Sequence, residues 1–412
     1  MAETSQRRSI LAGLSGNVLE WYDFALYGYF APTIAEHFFP SQDKLASLFA
    51  TFGVFAVGYL MRPIGGVLFG RLADRSGRKR ALQLSVLLMA IPTFLVGLLP
   101  TYAQIGVASS VLLTLLRLLQ GCSVGGEFVA SISFLADHSP PGKRYFYGSW
   151  ASFGALTGMM LGSAAGAVVT SVLGSDQVAA WGWRIPFLCG ICLSLAAIAL
   201  RQGGDDQPLV ASAGAPTTRA SLTQQRGLLL KMTLGIWVFS LGFYMLFLYL
   251  STYLSTQTSI PQAEALRLNT VCMGVLILMI PFFGKLCDRF SGKAVILLGN
   301  IGLGLSAIPL FILIDQGSER TDLLCQLVFA VFVAMQQAAY PAFMTSVFPI
   351  STRSTSVAIS YNIAIALFGG TTPLVATGLI ARFGDKLAPS YYLTAAAIVS
   401  SIAIAKLSPQ KE

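Results

Sequence analysis

Long apolar segments alternate with short polar connections along most of the chain. Twelve segments are each long enough for the ~20 residues with which a helix crosses a bilayer. They occupy residues 10–31, 46–70, 80–99, 106–136, 146–173, 184–201, 227–253, 266–284, 294–314, 322–348, 354–381 and 389–406. This pattern predicts an all-α membrane protein with twelve transmembrane helices.

One long polar connection divides these segments into two sets of six. Residues 202–226 are rich in Gly, Gln, Ser and Thr, a composition typical of a flexible linker. We therefore predict a six-helix bundle over residues 1–201, a linker over 202–226 and a second six-helix bundle over 227–412.

A short basic motif recurs at about half the chain length. Its two copies read Gly70-Arg-Leu-Ala-Asp74-Arg75-Ser-Gly77-Arg78 and Gly284-Lys-Leu-Cys-Asp288-Arg289-Phe-Ser-Gly292. In both copies an Asp-Arg pair follows the first Gly at the same spacing. Such a repeat between apolar segments predicts two pseudo-symmetric bundles, which is how many secondary transporters are built.

Composition and charge support a membrane protein. Hydrophobic residues make up 55% of the 412 residues, charged residues 11%, and the mean hydropathy is +0.69. The net charge of +9 is unevenly distributed: 19 of the 27 Lys and Arg residues fall in connections on one side of the predicted membrane. The positive-inside rule places both termini in the cytoplasm. The excess charge therefore reflects topology and does not indicate nucleic-acid binding.

The sequence argues against an enzyme, a cofactor and a metal site. Cys189 and Cys192 form a CxxC within an apolar helix, without a second pair, so packing is the favoured interpretation. The two histidines, His37 and His138, lie near span ends, and no nucleophile–base cluster accompanies them.

Five ionisable residues lie well inside predicted spans, all in the first half: Glu20, Asp23, Arg62, Arg117 and Glu127. Burying a charge in a bilayer costs roughly 2.5–3.5 kcal/mol on insertion scales, so each is a candidate functional residue. The second half is expected to offer only uncharged polar groups at comparable depth. This asymmetry suggests that the first half handles ions and the second shapes a cavity.

The two carboxylates of the first span are candidates for proton coupling. Glu20 and Asp23 are three residues apart and share one helix face. Ionising both carboxyl groups is energetically unfavourable in a low dielectric, so one of them is expected to take and release a proton. The alternative is that each is permanently paired with an arginine. For Glu127 the two alternative roles are proton coupling and gating.

The two arginines are candidates for binding a carboxylate. Arg117 and Glu127 are separated by ~15 Å of helical rise, so Arg117 must find its anion on the first span or on a substrate. The alternative is a fixed structural pair. Arg62 precedes Pro63, and a kinked helix with a snorkelling arginine is equally compatible with its position.

The fifth span contains four glycines at i+4 spacing. Gly154, Gly158, Gly162 and Gly166 predict a flat strip on which another helix packs closely.

These residues resemble a known family. The doubled Gly-x-x-x-Asp-Arg-x-Gly-Arg turn resembles the signature loop of the major facilitator superfamily. A narrower likeness, to the metabolite:proton symporter family, rests on five motifs. They are Gly16-Asn17-Val-Leu-Glu20-Trp21-Tyr22-Asp23-Phe24, Arg62-Pro63-Ile-Gly65-Gly66, Gln120-Gly121-Cys-Ser-Val-Gly125-Gly126-Glu127, Trp181-Gly-Trp183-Arg184-Ile-Pro186-Phe187 and Tyr361-Asn362 with Gly369-Gly370.

The resemblance implies a monomeric proton symporter of the bacterial inner membrane that takes up a small carboxylate-bearing metabolite. That metabolite is an organic acid, such as citrate or a dicarboxylate, or a zwitterion such as proline or glycine betaine. Its partners are the substrate, protons and the lipid bilayer. A proton-independent facilitator or antiporter and a transport-deficient sensor remain open alternatives.

The predicted site residues fall into three groups. Proton coupling is assigned to Glu20, Asp23 and Glu127, and substrate binding to Arg117, Arg62, Gln120, Trp21, Tyr27, Tyr361 and Asn362. The resemblance implies a conformational latch, in which Asp74 contacts the start of the eleventh span and Asp288 acts weakly in the other half. Its residues are Gly70, Asp74, Arg75, Gly77, Arg78, Asp288 and Arg289.

Overall fold

The structure is a computed structural model that describes residues 17–410, apart from residues 19, 67, 69–71, 73–77, 124–126, 138, 203–223 and 317. Its regular secondary structure, over these residues, is entirely helical. Nine of the described helices are long and apolar enough to cross a membrane by length and composition.

Twelve spans can be followed through the described residues, as the sequence predicts. The first six are α1 (residues 17–38), α2 (Lys44–Gly66), α3 (Arg78–Leu98), α4 (Val107–Ser123 followed by Glu127–Asp137), α5 (Arg144–Val172) and α6 (Arg184–Gln202). The second six are α7 (Arg226–Gln257), α8 (Gln262–Arg289), α9 (Gly292–Asp315), α10 (Glu319–Val347), α11 (Arg353–Phe383) and α12 (Ala388–Ala405). The prediction of an all-α membrane fold is confirmed.

The two halves meet along two long helix pairs. Helix α5 packs on α8, and α2 packs on α11. Helices α4 and α10 also contact each other across the halves. The largest buried cluster of apolar side chains runs through both halves and across their interface.

The glycines of α5 allow close packing, as predicted. A Cβ placed on Gly158 would lie 2.1 Å from the carbonyl oxygen of Val18, so α5 rests directly on the backbone of α1. A Cβ on Gly162 would lie 3.3 Å from Ala25, and one on Gly166 would lie 3.0 Å from Leu266 of α8. The strip thus serves contacts within the first half and between the halves.

Two of the spans contain a π-helical turn near mid-length. These turns are Met245–Tyr249 in α7 and Ile365–Gly369 in α11. They are close to each other, since a Cβ on Gly369 would lie 2.8 Å from the ring of Tyr244. Single π turns inside α-helices are frequent at functional sites.

Helices α1 and α8 extend furthest beyond their predicted ends. Helix α1 continues to Phe38, and α8 continues to Arg289. The second copy of the basic motif therefore lies mainly in the last turns of α8 and not in a loop. The helix persists because Phe283 and Cys287 continue its buried face, and Ser291 then caps the start of α9.

Candidate functional site

One end of the molecule is closed by a helix cap between the halves. We call this the inner end; it holds the first residues of α5 and the last residues of α8. The Asp288 carboxylate accepts hydrogen bonds from the backbone N–H groups of Tyr145 (2.8 Å) and Phe146 (3.0 Å). These N–H groups have no partner within α5, and a negative charge is favourable at a helix N-terminus. Asp288 therefore bonds the second half to the first.

Of the other predicted latch residues, Arg289 is the one whose side chain lies in the described part of the structure. Arg289 is exposed, and its guanidinium carbon lies 5.7 Å from the ring centre of Phe290. Four of the predicted residues lie outside the described residues, as does the side chain of Arg78: they are Gly70, Asp74, Arg75 and Gly77.

The opposite end, the outer end, holds the last residues of α1 and the first residues of α8. It is closed by a polar network centred on Tyr29. The Tyr29 hydroxyl donates to the carbonyl oxygen of Phe247 (2.8 Å), and Asn269 donates to Tyr29 Oη (3.1 Å) and Ser163 Oγ (3.0 Å). Gln262 donates to the carbonyl oxygen of Tyr29 (3.0 Å). Hydrogen bonds therefore join the two halves at both ends.

A small cavity lies between the halves, and its lining residues are buried. Its volume of about 10 Å³ has room for about one water molecule, so a larger ligand requires the halves or the side chains to move. Aromatic rings dominate its lining. The lining residues are Trp21, Phe128, Ala155, Leu156, Phe239, Ser240, Phe243, Tyr244, Gln337, Tyr361 and Ile365.

A buried ion pair lies beside this cavity. Arg62 Nη2 is 2.8 Å from Glu20 Oε1, and the two side chains are 3% and 4% exposed. The guanidinium carbon of Arg62 is 5.9 Å from the ring centre of Trp21 and 5.4 Å from that of Tyr59. The Tyr59 hydroxyl accepts from that of Tyr244 at 2.7 Å. The burial and pairing of Arg62 exclude the snorkelling interpretation.

The second acid of α1 lies in a different environment. Asp23 is 1% exposed, and neither carboxylate oxygen has a hydrogen-bond partner among the described residues. Thr93 is close enough to interact with Asp23, but its hydroxyl donates to the carbonyl oxygen of Met89 at 3.0 Å. Arg117 acts on Asp23 electrostatically without an ion pair in the described structure.

Arg117 is held by an aromatic ring. Its guanidinium carbon lies 3.8 Å from the ring centre of Tyr27, whose hydroxyl donates to the carbonyl oxygen of Thr51 at 3.0 Å. All three guanidinium nitrogens lack hydrogen-bond partners within the described part of the chain. A ring face stabilises a cation but does not replace a carboxylate. Arg117 and Tyr27 are both absent from the cavity lining.

The other predicted site residues divide between the cavity and the first half. Trp21 and Tyr361 line the cavity, and Asn362 is buried next to Tyr361. Gln120 is within the first half, where its amide donates to Thr93 Oγ1 at 2.6 Å. Glu127 begins the second segment of α4, and its side chain lies outside the described part of the structure.

One buried acid was missed by the sequence analysis. Asp322, in the first turn of α10, is fully buried, and both carboxylate oxygens lack a hydrogen-bond partner among the described residues. Asp322 lies at the start of its span, so it does not bear on the expectation that the second half offers only uncharged polar groups deep within its spans. The signal in the sequence is Asp322 at the first position of the tenth predicted span, where an acid is also typical of a span boundary.

Two bundles of membrane helices that close around a buried cavity from both ends define a membrane transport protein. The sequence matches the family model of the Major Facilitator Superfamily over residues 13–266 and 232–411, and the chain belongs to this superfamily. The predicted resemblance is confirmed. The protein is a multi-pass membrane transporter and not an enzyme.

Similar sequences come from several bacteria. The chain is 35% identical over 406 residues to the "Putative proline/betaine transporter" of Staphylococcus aureus (strain MSSA476), covering 97% of this chain and 87% of the relative. It is 32% identical over 409 residues to the "Glycine betaine/proline/ectoine/pipecolic acid transporter OusA" of Dickeya dadantii (strain 3937), covering 95% and 81%.

A solved structure shares the fold. The partially occluded inward open form of the xylose transporter XylE from E. coli matches with a TM-score of 0.79 at 16% identity, over 99% of this chain and 100% of that one. At this identity the likeness concerns the fold alone.

Proposed function

We propose that this chain is a proton-coupled symporter that takes up a small zwitterion with a carboxylate, such as proline or glycine betaine, by alternating access. The observation that carries this proposal is an aromatic-lined cavity beside the buried Glu20–Arg62 ion pair. Aromatic faces attract organic cations, and a guanidinium binds a carboxylate. A di- or tricarboxylate would need additional cations, and the residues that line the cavity include no charged side chain.

The relatives support the same substrate class. Their names include proline and betaine, and the likeness covers nearly the whole chain. Proline and glycine betaine each combine one cationic nitrogen with one carboxylate, so both suit a site that offers aromatic faces and a buried acid and base.

Proton coupling is assigned to Asp23. A buried carboxylate without hydrogen-bond donors is stable only when it is neutral or paired with a cation. Asp23 therefore holds a proton in this arrangement of the halves and turns to Arg117 when that proton leaves. Helix α1 carries both Asp23 and the cavity residue Trp21, so it links the proton site to the substrate.

The test is uptake into proteoliposomes with an imposed inward proton gradient. We expect labelled proline or glycine betaine to accumulate and a protonophore to abolish the accumulation, while citrate and 2-oxoglutarate are excluded. Uptake that ignores the gradient would indicate a facilitator or antiporter. Binding without flux would indicate a sensor, and accumulation of citrate would move the substrate to organic acids.

A matched pair of variants tests the proton site. Asp23→Asn is expected to lose gradient-driven accumulation and to keep exchange of labelled for unlabelled substrate, because only the proton step is removed. Asp315→Asn, an exposed acid at the end of α9, should retain both. If Asp23→Asn and Glu20→Gln both accumulate substrate as the unmodified protein does, the proton assignment is wrong.

A further inference from the structure

We propose that Gln337 determines substrate specificity in the cavity, and that its amide oxygen accepts a hydrogen bond from the cationic nitrogen of the substrate. This contact favours a nitrogen that carries hydrogen, as in proline, over a fully methylated nitrogen, as in glycine betaine. The assignment rests on the proposed function and separates two kinds of zwitterion that the proposed function allows.

Gln337 faces the cavity, whereas the residue before it faces the interior of the second half. Gln336 donates to Asn300 Oδ1 at 2.8 Å and is absent from the cavity lining. Consecutive residues on a helix are ~100° apart, so α10 directs the two amides to different sides. Gln337 lines the cavity and is 3% exposed. One carboxamide is therefore fixed within its half, and the other is presented to a ligand.

The amide of Gln337 is available for hydrogen bonding. It makes no hydrogen bond within the described part of the chain. A carboxamide offers a carbonyl oxygen as acceptor and two N–H groups as donors. Leaving such groups unpaired in a buried site is unfavourable, so a ligand with a complementary group gains affinity there.

The other polar groups of the lining are weaker acceptors. Three hydroxyl groups line the cavity, those of Ser240, Tyr244 and Tyr361. The first donates to carbonyl oxygens of its own helix, and the second donates to the Tyr59 hydroxyl at 2.7 Å. A hydroxyl oxygen accepts less strongly than an amide oxygen, and in a phenol one lone pair is also shared with the ring. Gln337 therefore has the strongest acceptor among the lining side chains of the described structure.

The aromatic rings and Gln337 recognise different properties of the substrate nitrogen. The rings of Trp21 and Tyr244 line the cavity with their centres 6.1 Å apart, and ring faces attract an organic cation whether or not it is methylated. A hydrogen bond to Gln337 requires an N–H group, which a fully methylated nitrogen lacks. A site that hydrogen-bonds its substrate discriminates against an analogue without the donor, because the polar group of the site is then left unpaired.

Three ligands isolate this contact because they share one ring and one carboxylate. At neutral pH the nitrogen of proline carries two N–H groups, that of N-methylproline carries one, and that of N,N-dimethylproline carries none. Kd is measured by calorimetry on the purified full-length protein. The unmodified protein is expected to bind proline and N-methylproline about tenfold more tightly than N,N-dimethylproline, which is the effect of one hydrogen bond to a charged group.

The variant Gln337→Met removes the amide and keeps an unbranched side chain of similar length. It should bind proline about tenfold more weakly and leave the Kd of N,N-dimethylproline within about twofold of its original value. Retained binding of the methylated ligand also shows that the variant is folded. If Gln337→Met does not fold, Gln337→Leu takes its place.

The matched control changes the neighbouring glutamine. Gln336→Met removes the amide that bonds to Asn300 and leaves the cavity lining intact. The ratio of the Kd values for proline and N,N-dimethylproline should therefore stay as it is in the unmodified protein.

Two results would overturn the inference. An equal loss of affinity for all three ligands in a folded Gln337 variant would mean that the amide binds the shared carboxylate. Unchanged affinity for all three would mean that it binds none of them. Either result leaves the proposed function standing if the unmodified protein accumulates proline or glycine betaine in a proton gradient. If the unmodified protein accumulates neither, the proposed substrate class fails, and this inference fails with it.

Discussion

Replacing Asp288 by alanine should shift the transporter toward a state that is open at the inner end. The carboxylate caps α5 through two backbone hydrogen bonds of 2.8 and 3.0 Å across the interface between the halves. Asp288 is partly exposed, so we assign about 1 kcal/mol to each bond, below the ~1.5–3 kcal/mol of buried charged bonds. The closed arrangement should therefore lose about 2 kcal/mol, which is a roughly 30-fold change in the ratio of closed to open molecules.

The shift can be measured as a distance distribution between two spin labels at the inner end. Suitable positions are Pro141, just before α5, and Phe290, just after α8, since both are exposed. The six native cysteines are replaced beforehand so that only these sites are labelled. Asp288→Ala should increase the population with the longer distance.

The matched control removes an acid at the other end of the molecule. Asp315→Ala breaks an exposed contact of 3.3 Å with Lys386 and leaves the inner end unchanged. If Asp288→Ala changes the distance distribution no more than Asp315→Ala does, the cap does not stabilise the closed inner end and the reasoning is refuted.

Three further predictions concern packing, a buried acid and the outer end. Gly158→Ala places a Cβ 2.1 Å from the carbonyl oxygen of Val18 and should cost about 1–3 kcal/mol, seen as a lower Tm, whereas Gly53→Ala meets no atom within 4 Å and should be neutral or stabilising. Asp322→Asn replaces a buried, unbonded carboxyl by a neutral amide and should raise the stability at neutral pH by about 1–2 kcal/mol in thermal unfolding. Asn269→Ala removes two donors from the outer network and should weaken its closure by about 1–2 kcal/mol, measured as faster labelling of cysteines introduced there.

Each of these predictions has a control and a contrary result. A Tm for Gly158→Ala equal to that of Gly53→Ala would mean that α1 and α5 separate easily. Asp315→Asn should leave stability unchanged, and a loss of stability in Asp322→Asn would show that the acid has a bonding role. Gln316→Ala, an exposed change at the outer end, should not alter the labelling rate. If Asn269→Ala is labelled at the same rate as Gln316→Ala, the network around Tyr29 does not stabilise the closed outer end.

The helical architecture follows from the sequence because hydropathy alone fixes the spans. The end of α8 was less predictable, since Cys287 extends the buried face into a segment that reads as a basic turn. Side-chain pairing was not predictable either. Glu20 and Asp23 share a face of α1, yet only Glu20 has an arginine within bonding distance in the described structure. That difference depends on how α2 and α4 are rotated against α1, and one residue changes the rotation by ~100°.

The cavity lining was predicted in part. Trp21 and Tyr361 stand in distinctive motifs, whereas Phe128, Phe243 and Tyr244 do not. With 27 Phe and 14 Tyr in the chain, aromatic residues are too frequent for composition to indicate which of them meet. Their assembly depends on the contact between the halves, and sequence periodicity carries no information about that contact.

The two π-helical turns have a consequence for how the chain tolerates changes in length. Each turn, Met245–Tyr249 or Ile365–Gly369, accommodates one extra residue without a break in its helix. Deleting that residue would restore a regular α-helix and leave the segments on either side facing as they do now, because the π turn spreads one extra residue over the same rotation. A deletion in a regular α-helical part of the same span would instead rotate everything beyond it by ~100° and turn that part of the span away from the cavity. Within α7 and α11, the π turns are therefore the places where the loss of one residue is best tolerated.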